Sequence, residues 1–260
     1  PWEWQPKLKE LADKIGIILF SSPFDLSSVD FLEEMDVPAY KIASPEIVDI
    51  PLIKKCAQTG KTIIISTGVA SIGDIERAVD VCRQEGNENV ILLKCTAEYP
   101  APYSQMNLKT IKNMEETFGC PAGLSDHSLG DEIAIAAVAM GAKVIEKHIT
   151  LHRADGGVDS AFSMEAEEMK RMVERIRHVE QAMGIVQYEY IGTNNEKKRR
   201  GRSLFVSADI KKGERFTEKN IRSVRPGDGL HTKYYFDVLG KRATRDLSFA
   251  EPLQMGDVEW

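Results

Sequence analysis

Apolar, β-branched runs recur along the first part of this chain at residues 15–20, 39–42, 62–65, 90–93, 121–124 and 144–149, each separated from the next by a helix-like segment. That rhythm predicts a series of β-α units. The segment after the third run shows how its helix is written: Ser71 is placed to cap, Asp74 follows three residues later as in a capping box, and Ile72, Ile75, Ala78, Val79 and Cys82 fall on one face before Gly86 stops the pattern. The longest helix is predicted over 163–184, where Met169, Met172, Val173, Ile176, Val179 and Met183 recur every three to four residues as a packing stripe. Continuous apolar strands alternating with amphipathic helices fit either an open doubly wound sheet or a (β/α)8 barrel. From Gly201 onward the texture changes to short apolar runs broken by turns, which predicts a small β-rich domain behind a polar linker.

Composition narrows the class. A chain of 260 residues, 42% hydrophobic and 28% charged, can bury a large core, and a net charge of −6 argues against a general nucleic-acid footprint. The basic run Lys197, Lys198, Arg199, Arg200 and Arg202 reads as a solvated linker. Cys56, Cys82, Cys95 and Cys120 lie far apart with no C-x-x-C pair, which predicts free thiols and a reducing, cytoplasmic setting. The first residues lack the basic and apolar regions of a targeting signal, and no stretch approaches the roughly 18 apolar residues of a membrane span, so no membrane partner is expected.

The chemistry gathers where the predicted strands end. In order, these tips read Ser21-Ser22, Lys41-Ile42-Ala43-Ser44-Pro45-Glu46, Ser66-Thr67-Gly68, Lys94-Cys95-Thr96, Ser125-Asp126-His127 and Glu146-Lys147-His148. Parallel barrels carry their functional groups at strand C-termini, so groups at nearly every tip favour the barrel over the open sheet. Hydroxyls with a lysine suit a phosphate or carboxylate, and two imidazoles on consecutive strands suit a divalent metal. Lys41 stands in an apolar strand, where an ammonium needs an anionic partner. Lys94 and Thr96 are weaker candidates, Asp159 lies in a glycine-rich loop beyond the last strand, and His152, His178 and His231 have no comparable context.

Together, Lys41-Ile42-Ala43-Ser44-Pro45-Glu46, Ile65-Ser66-Thr67-Gly68, Cys95-Thr96-x-x-Tyr99-Pro100, Gly123-Leu124-Ser125-Asp126-His127 and Glu146-Lys147-His148 resemble the sialic acid synthase family, NeuB-like enzymes that condense phosphoenolpyruvate with an amino sugar. The stretch Asp209-Ile210-Lys211-Lys212-Gly213-Glu214 with Arg225-Pro226-Gly227 resembles that family's antifreeze-like (SAF) domain. The resemblance implies an α/β fold: a (β/α)8 TIM-type barrel, here lacking its first two strands, over 1–186, a linker over 187–200, and a small β-rich SAF domain of β-clip type over 201–260. It also implies that His127 and His148 hold Mn2+ or Mg2+, and that Lys41, Ser44, Ser66 and Ser125, with Ser22 replacing a threonine, hold the phosphate and carboxylate. Glu46 and Asp159 fall beside the acceptor sugar as catalytic carboxylates with Lys41, and Arg225 matches an arginine delivered by the partner subunit of a domain-swapped homodimer.

Within the family, Pro1-Trp2-Glu3-Trp4 and the loop from Gly156 to Met164 look most like the pseudaminic acid branch, whose acceptor is a 2,4-diacetamido-2,4,6-trideoxy hexose. Ala97 stands where some sialic acid synthases have asparagine, which points away from N-acetylmannosamine. Three alternatives remain at this level: a legionaminate or N-acetylneuraminate synthase, a non-catalytic sugar-binding protein, and a Schiff-base aldolase using Lys41 or Lys147.

Overall fold

Parallel pairing in strict chain order organises the first unit of the computed structural model, which describes residues 2–260 and divides into units Pro1–Gly184 and Ile185–Trp260. In chain order its elements are α1 (Gln5–Ile15), α2 (Leu26–Glu34), β1 (Ala39–Ile42), α3 (Ile50–Gln58), β2 (Thr62–Ser66), α4 (Ile72–Gln84), β3 (Val90–Cys95), α5 (Lys109–Phe118), β4 (Ala122–Asp126), α6 (Glu132–Ala139) and β5 (Ile145–Lys147). Two short strands follow, β6 (Ile149–Thr150) and β7 (Met164–Glu165), which pair with each other, and then α7 (Ala166–Met183). The sheet order is β1-β2-β3-β4-β5, every pair parallel. Right-handed crossovers between sequential neighbours put all connecting helices on one face, which is the winding of a barrel wall and excludes the doubly wound sheet.

Period-two alternation then divides the strands cleanly. Tyr40, Ile42, Ile63, Ile65, Val90, Leu92, Ala122 and Leu124 pack with α2 to α5 in one continuous core, each contributing about 1.5–3 kcal/mol where a large apolar side chain is fully buried. The opposite face carries Lys41, Ser66, Cys95, Ser125 and Glu146. Register also puts position 123 on that inner face, and it is glycine because a Cβ there would run into the Val144 carbonyl and Leu93, so β4 and β5 approach closely only with no side chain between them.

Local signals fold as written in several places. Asp74 N–H donates to Ser71 Oγ at 3.3 Å and Ser71 N–H to Asp74 Oδ2 at 2.9 Å, completing the capping box of α4. The strand expected at 15–20 does not form. α1 extends through Ile15, and only Ser21 bridges to Tyr40, with Lys41 N–H donating to the Ser21 carbonyl. In this register the next ladder bonds upstream would use the N–H groups of Val37 and Ile17, and both are already committed to the ends of helices, Val37 N–H to the Leu32 carbonyl at 3.3 Å and Ile17 N–H to the Ala12 carbonyl at 2.9 Å, so the ladder stops at Ser21. The sixth run also splits, into β5 and β6, which belong to different sheets.

The second unit contains α8 (Asn194–Arg200), the antiparallel pair β8 (Ser203–Val206) and β9 (Ile221–Val224), and the short α9 (Tyr235–Val238) around a core of Leu204, Ile210, Phe216, Ile221, Val238 and Leu253. Four of the five cations in the basic run expected to be linker, Lys197 to Arg200, instead end α8, with Arg202 beyond it: Thr193 caps the helix in a box with Glu196, these cations sit at the negative end of its dipole, and the Lys198 carbonyl accepts from Gly227 N–H at 2.7 Å. Among the described residues, no helix is long and apolar enough to cross a membrane.

All four cysteines are buried and unpaired, and burial pushes the Cys56 and Cys82 thiols up to about 12. An aromatic disulfide reagent at about pH 8 should therefore leave the folded chain unmodified and titrate all four thiols in guanidinium; rapid native reaction would contradict this packing.

Candidate functional site

A cavity of about 240 Å3 opens at the C-terminal edge of the sheet, lined by Lys41, Ser44, Ser66, Ser125, His127 and His148, with Ser22, Cys95, Tyr99 and Glu146 completing its wall. β1 delivers Lys41 on its inner face. Its Nζ donates to Ser66 Oγ at 2.8 Å and the Ile42 carbonyl at 3.2 Å, and lies 3.5 Å from Glu146 Oε2. Ser125 Oγ donates to Glu146 Oε1 at 2.6 Å, so one carboxylate draws together a hydroxyl from β4 and an ammonium from β1. Ser44 Oγ accepts from Val69 N–H at 2.8 Å, tying the β1 tip to the β2 tip.

His127 and His148 follow β4 and β5 and meet edge to face with ring centroids 5.2 Å apart. His127 Nδ1 is 3.1 Å from the Thr96 carbonyl oxygen, which can only accept; the ring therefore carries its proton on Nδ1 and turns the Nε2 lone pair free. Burial is the main influence on His127 and holds its pKa below the ordinary histidine range, keeping it neutral, the ligand form of imidazole. His148 Nδ1 lies 3.5 Å from Asp159 Oδ2, an orienting carboxylate from the glycine-rich loop. Tyr99 lies over His127 at 4.1 Å between centroids, and Phe162 closes the far side of His148 at 5.2 Å.

These donors fit a divalent ion held by two imidazoles. Among the described residues no group of three or more His, Cys, Asp or Glu side chains forms a complete cage, so an ion held here would need its other ligands from outside the chain. Glu46, at the turn after β1, does not line this cavity, although the preceding Ser44 and Pro45 do; its Oε2 is enclosed and has no hydrogen-bond partner.

Seven of the residues singled out from sequence, Ser22, Lys41, Ser44, Ser66, Ser125, His127 and His148, line this one cavity, and Asp159 touches its rim through His148. Arg225 is an exposed residue of the second unit, in the turn after β9. Lys94 points to the helix face, where its Nζ donates to the Cys95 carbonyl at 2.6 Å, and Thr96 Oγ1 donates to the Gln105 carbonyl at 3.3 Å; neither reaches the cavity. Lys147 is likewise turned away, its Nζ held by Asp126 and the Ser128 carbonyl, which removes it as a Schiff-base lysine. His152, His178 and His231 are exposed. Glu146, Cys95 and Tyr99 were not read as site residues from sequence. Glu146 had a signal: it precedes His148 by two, as Ser125 precedes His127, and residues two apart share a strand face.

The NeuB family model matches residues 1–188, and the SAF domain model matches 201–259. A pseudaminic acid synthase of Helicobacter pylori is 43% identical over 260 residues, covering 100% of this chain and 76% of that protein. An N,N'-diacetyllegionaminic acid synthase of Campylobacter jejuni is 42% identical over 242 residues, covering 90% of this chain and 71% of that protein. The crystal structure of the Bacillus subtilis spore coat polysaccharide biosynthesis protein SpsE aligns with a TM-score of 0.68 at 35% identity, covering 100% of this chain and 78% of that one.

Gly68, after β2, has no room for a side chain: a Cβ there would lie 2.9 Å from Ser44 Oγ and 3.0 Å from Cys95 Sγ, both in the cavity wall. Gly68→Ala should displace these groups at a cost of about 1–3 kcal/mol, weakening inorganic phosphate binding in calorimetry about tenfold, with Gly68→Ala/Cys95→Ala recovering part of the loss. Parent affinity in Gly68→Ala would show that the wall yields freely.

Proposed function

The chain belongs to the NeuB family and carries a SAF domain, and from that premise we propose that it acts as a pseudaminic acid synthase, joining phosphoenolpyruvate to a 2,4-diacetamido-2,4,6-trideoxy hexose with water to give a nine-carbon keto acid and phosphate. Carbon 3 of phosphoenolpyruvate forms a bond to the sugar's aldehyde carbon, whose oxygen takes up a proton. Water adds at carbon 2, and the carbon–oxygen bond to phosphate then breaks, leaving the keto group.

The observation that supports this reading is the division of the cavity into two halves. Lys41 with Ser22, Ser44, Ser66 and Ser125 forms a cationic and hydroxyl half suited to phosphate and carboxylate, while His127 and His148 form the half where the aldehyde and its hydroxyls lie, with Asp159 reaching the rim through His148. Lys41 has two donors committed to Ser66 and Ile42, and its 3.5 Å separation from Glu146 leaves the third open to an anionic oxygen. Glu46, next in the chain to the cavity-lining Ser44 and Pro45, takes the proton from the water that adds at carbon 2. Asp159 holds His148 in its ring orientation and accepts from a sugar hydroxyl. A divalent ion on His127 and His148, Mn2+ in preference to Mg2+ for two nitrogen ligands, supplies Lewis acidity at the aldehyde oxygen.

The pseudaminate acceptor is preferred to the legionaminate one because pseudaminic acid synthases match the entire chain at 41% and 43% identity, whereas legionaminic acid synthases match 90% of it at 42% or 97% of it at 36%. Arg225 contacts the acceptor in the partner subunit's site, making the working unit a domain-swapped homodimer that performs its synthesis in the cytoplasm.

Inorganic phosphate release with phosphoenolpyruvate, Mn2+ and a panel of acetamido sugars tests the reaction. Release with the diacetamido trideoxy hexose should be abolished by chelator, and His127→Ala or His148→Ala should lower kcat by at least about 100-fold, as loss of several kcal/mol of charge stabilisation requires. Undiminished turnover in either variant would remove that imidazole from the site, and release with N-acetylmannosamine alone would change the acceptor.

The swap has its own test. Mixing inactive His127→Ala with inactive Arg225→Ala and allowing subunit exchange should restore about a quarter of parent activity, since half the dimers are mixed and each of those has one intact site. No recovery despite proven exchange would place Arg225 in its own subunit's site or outside catalysis.

A further inference from the structure

On the helix face of the sheet, directly behind the cavity, lies an ion pair that none of the chemistry above uses. Lys147 Nζ is 2.7 Å from Asp126 Oδ2, with the two side chains 2% and 0% exposed, and the two residues are register partners on β5 and β4. The pair is tied further. Ser128 donates to Asp126 Oδ1 through its N–H at 2.9 Å and its Oγ at 2.6 Å, and Lys147 Nζ also donates to the Ser128 carbonyl at 2.7 Å. Asp126 and Ser128 are the two neighbours of His127 in the chain, and Lys147 immediately precedes His148. One ammonium on the strand leading to His148 thus holds the side chain of the residue before His127 and the backbone carbonyl of the residue after it.

Stability alone gives a poor account of this arrangement. A buried ion pair is often no more stabilising than apolar side chains of similar volume, and the same face one register step earlier is filled by Leu124 opposite Ile145. Charge adds direction: the hydrogen bonds set both the strand register and the path of residues 126–128, and alternation sends His127 and His148 out of the opposite face at a set separation.

We propose that Lys147, Asp126 and Ser128 form a positioning clasp that sets the approach of the two imidazoles, and hence the affinity of the ion they bind. The part concerning the ion rests on the functional reading above; the part concerning ring separation does not. The clasp residues touch neither substrate nor ion and act through His127 and His148.

The test compares the parent chain with Asp126→Asn/Lys147→Met, which removes both charges while keeping length, and with Ser128→Ala, which removes only the Oγ bond. Two readouts are taken: magnetisation transfer between the His127 and His148 rings in histidine-labelled protein, and Mn2+ affinity from the electron paramagnetic resonance signal of free Mn2+. The double variant should remain folded by circular dichroism, lose the ring-to-ring transfer and bind Mn2+ at least about tenfold more weakly, with Ser128→Ala showing a smaller change of the same sign. Folded variants that keep the ring contact and bind Mn2+ within about twofold of the parent would overturn the proposal. Should the double variant not fold, Ser128→Ala decides by the same criteria. Loss of ring contact in the variants, with no His127-dependent Mn2+ binding in the parent, would uphold the clasp while refuting the metal reading.

Discussion

The register between β4 and β5 is the constraint on which the site depends. Ser125 lies opposite Glu146 and Asp126 opposite Lys147, so alternation sends one pair into the cavity and the other into the core behind it. A slip of one residue would bury Glu146 and turn Lys147 toward the substrate, and the cavity would lose the carboxylate that joins Ser125 to Lys41. Two features secure the register from opposite faces: the Asp126–Lys147 ion pair behind, and the absence of a Cβ at Gly123 in front.

The same geometry separates the site's charges. The inner face combines Lys41 with Glu146 at a distance too long for an optimal ion pair, while Lys147 and Asp126 are fully paired at 2.7 Å on the other side. One lysine is therefore consumed by structure, and one keeps a donor for a ligand. His127 is fixed in its tautomer by a backbone carbonyl from the loop after β3 and His148 is faced by Asp159, so each ring is oriented by a different segment. Orientation of this kind lowers the reorganisation required when charge develops in the substrate.

Much of the fold was legible because its signals are local. Four of the apolar runs became β1 to β4 within a few residues, and the Ser71–Asp74 capping box formed as spelled. The failures have non-local causes. The run at 15–20 has the composition of a strand, yet the N–H groups that would extend its ladder are taken by helix ends, Ile17 by the Ala12 carbonyl and Val37 by the Leu32 carbonyl. The basic run at 197–200 has the composition of a linker, but a capping box at its start and a carbonyl contact with Gly227 make it a helix of the second unit.

The sequence by itself determined which chemistry was present: hydroxyls, a lysine and two histidines at strand ends, in an order shared by a family whose enzymes work at such positions. Tertiary structure decided which of these groups act together. Lys41, Lys94 and Lys147 are all lysines in or beside strand tips, and only the first faces the cavity, because the direction of a strand side chain depends on pairing register, a relation between segments far apart in the chain. For the same reason Glu146, unassigned in sequence, proved to be the carboxylate that joins β1, β4 and β5 around the site.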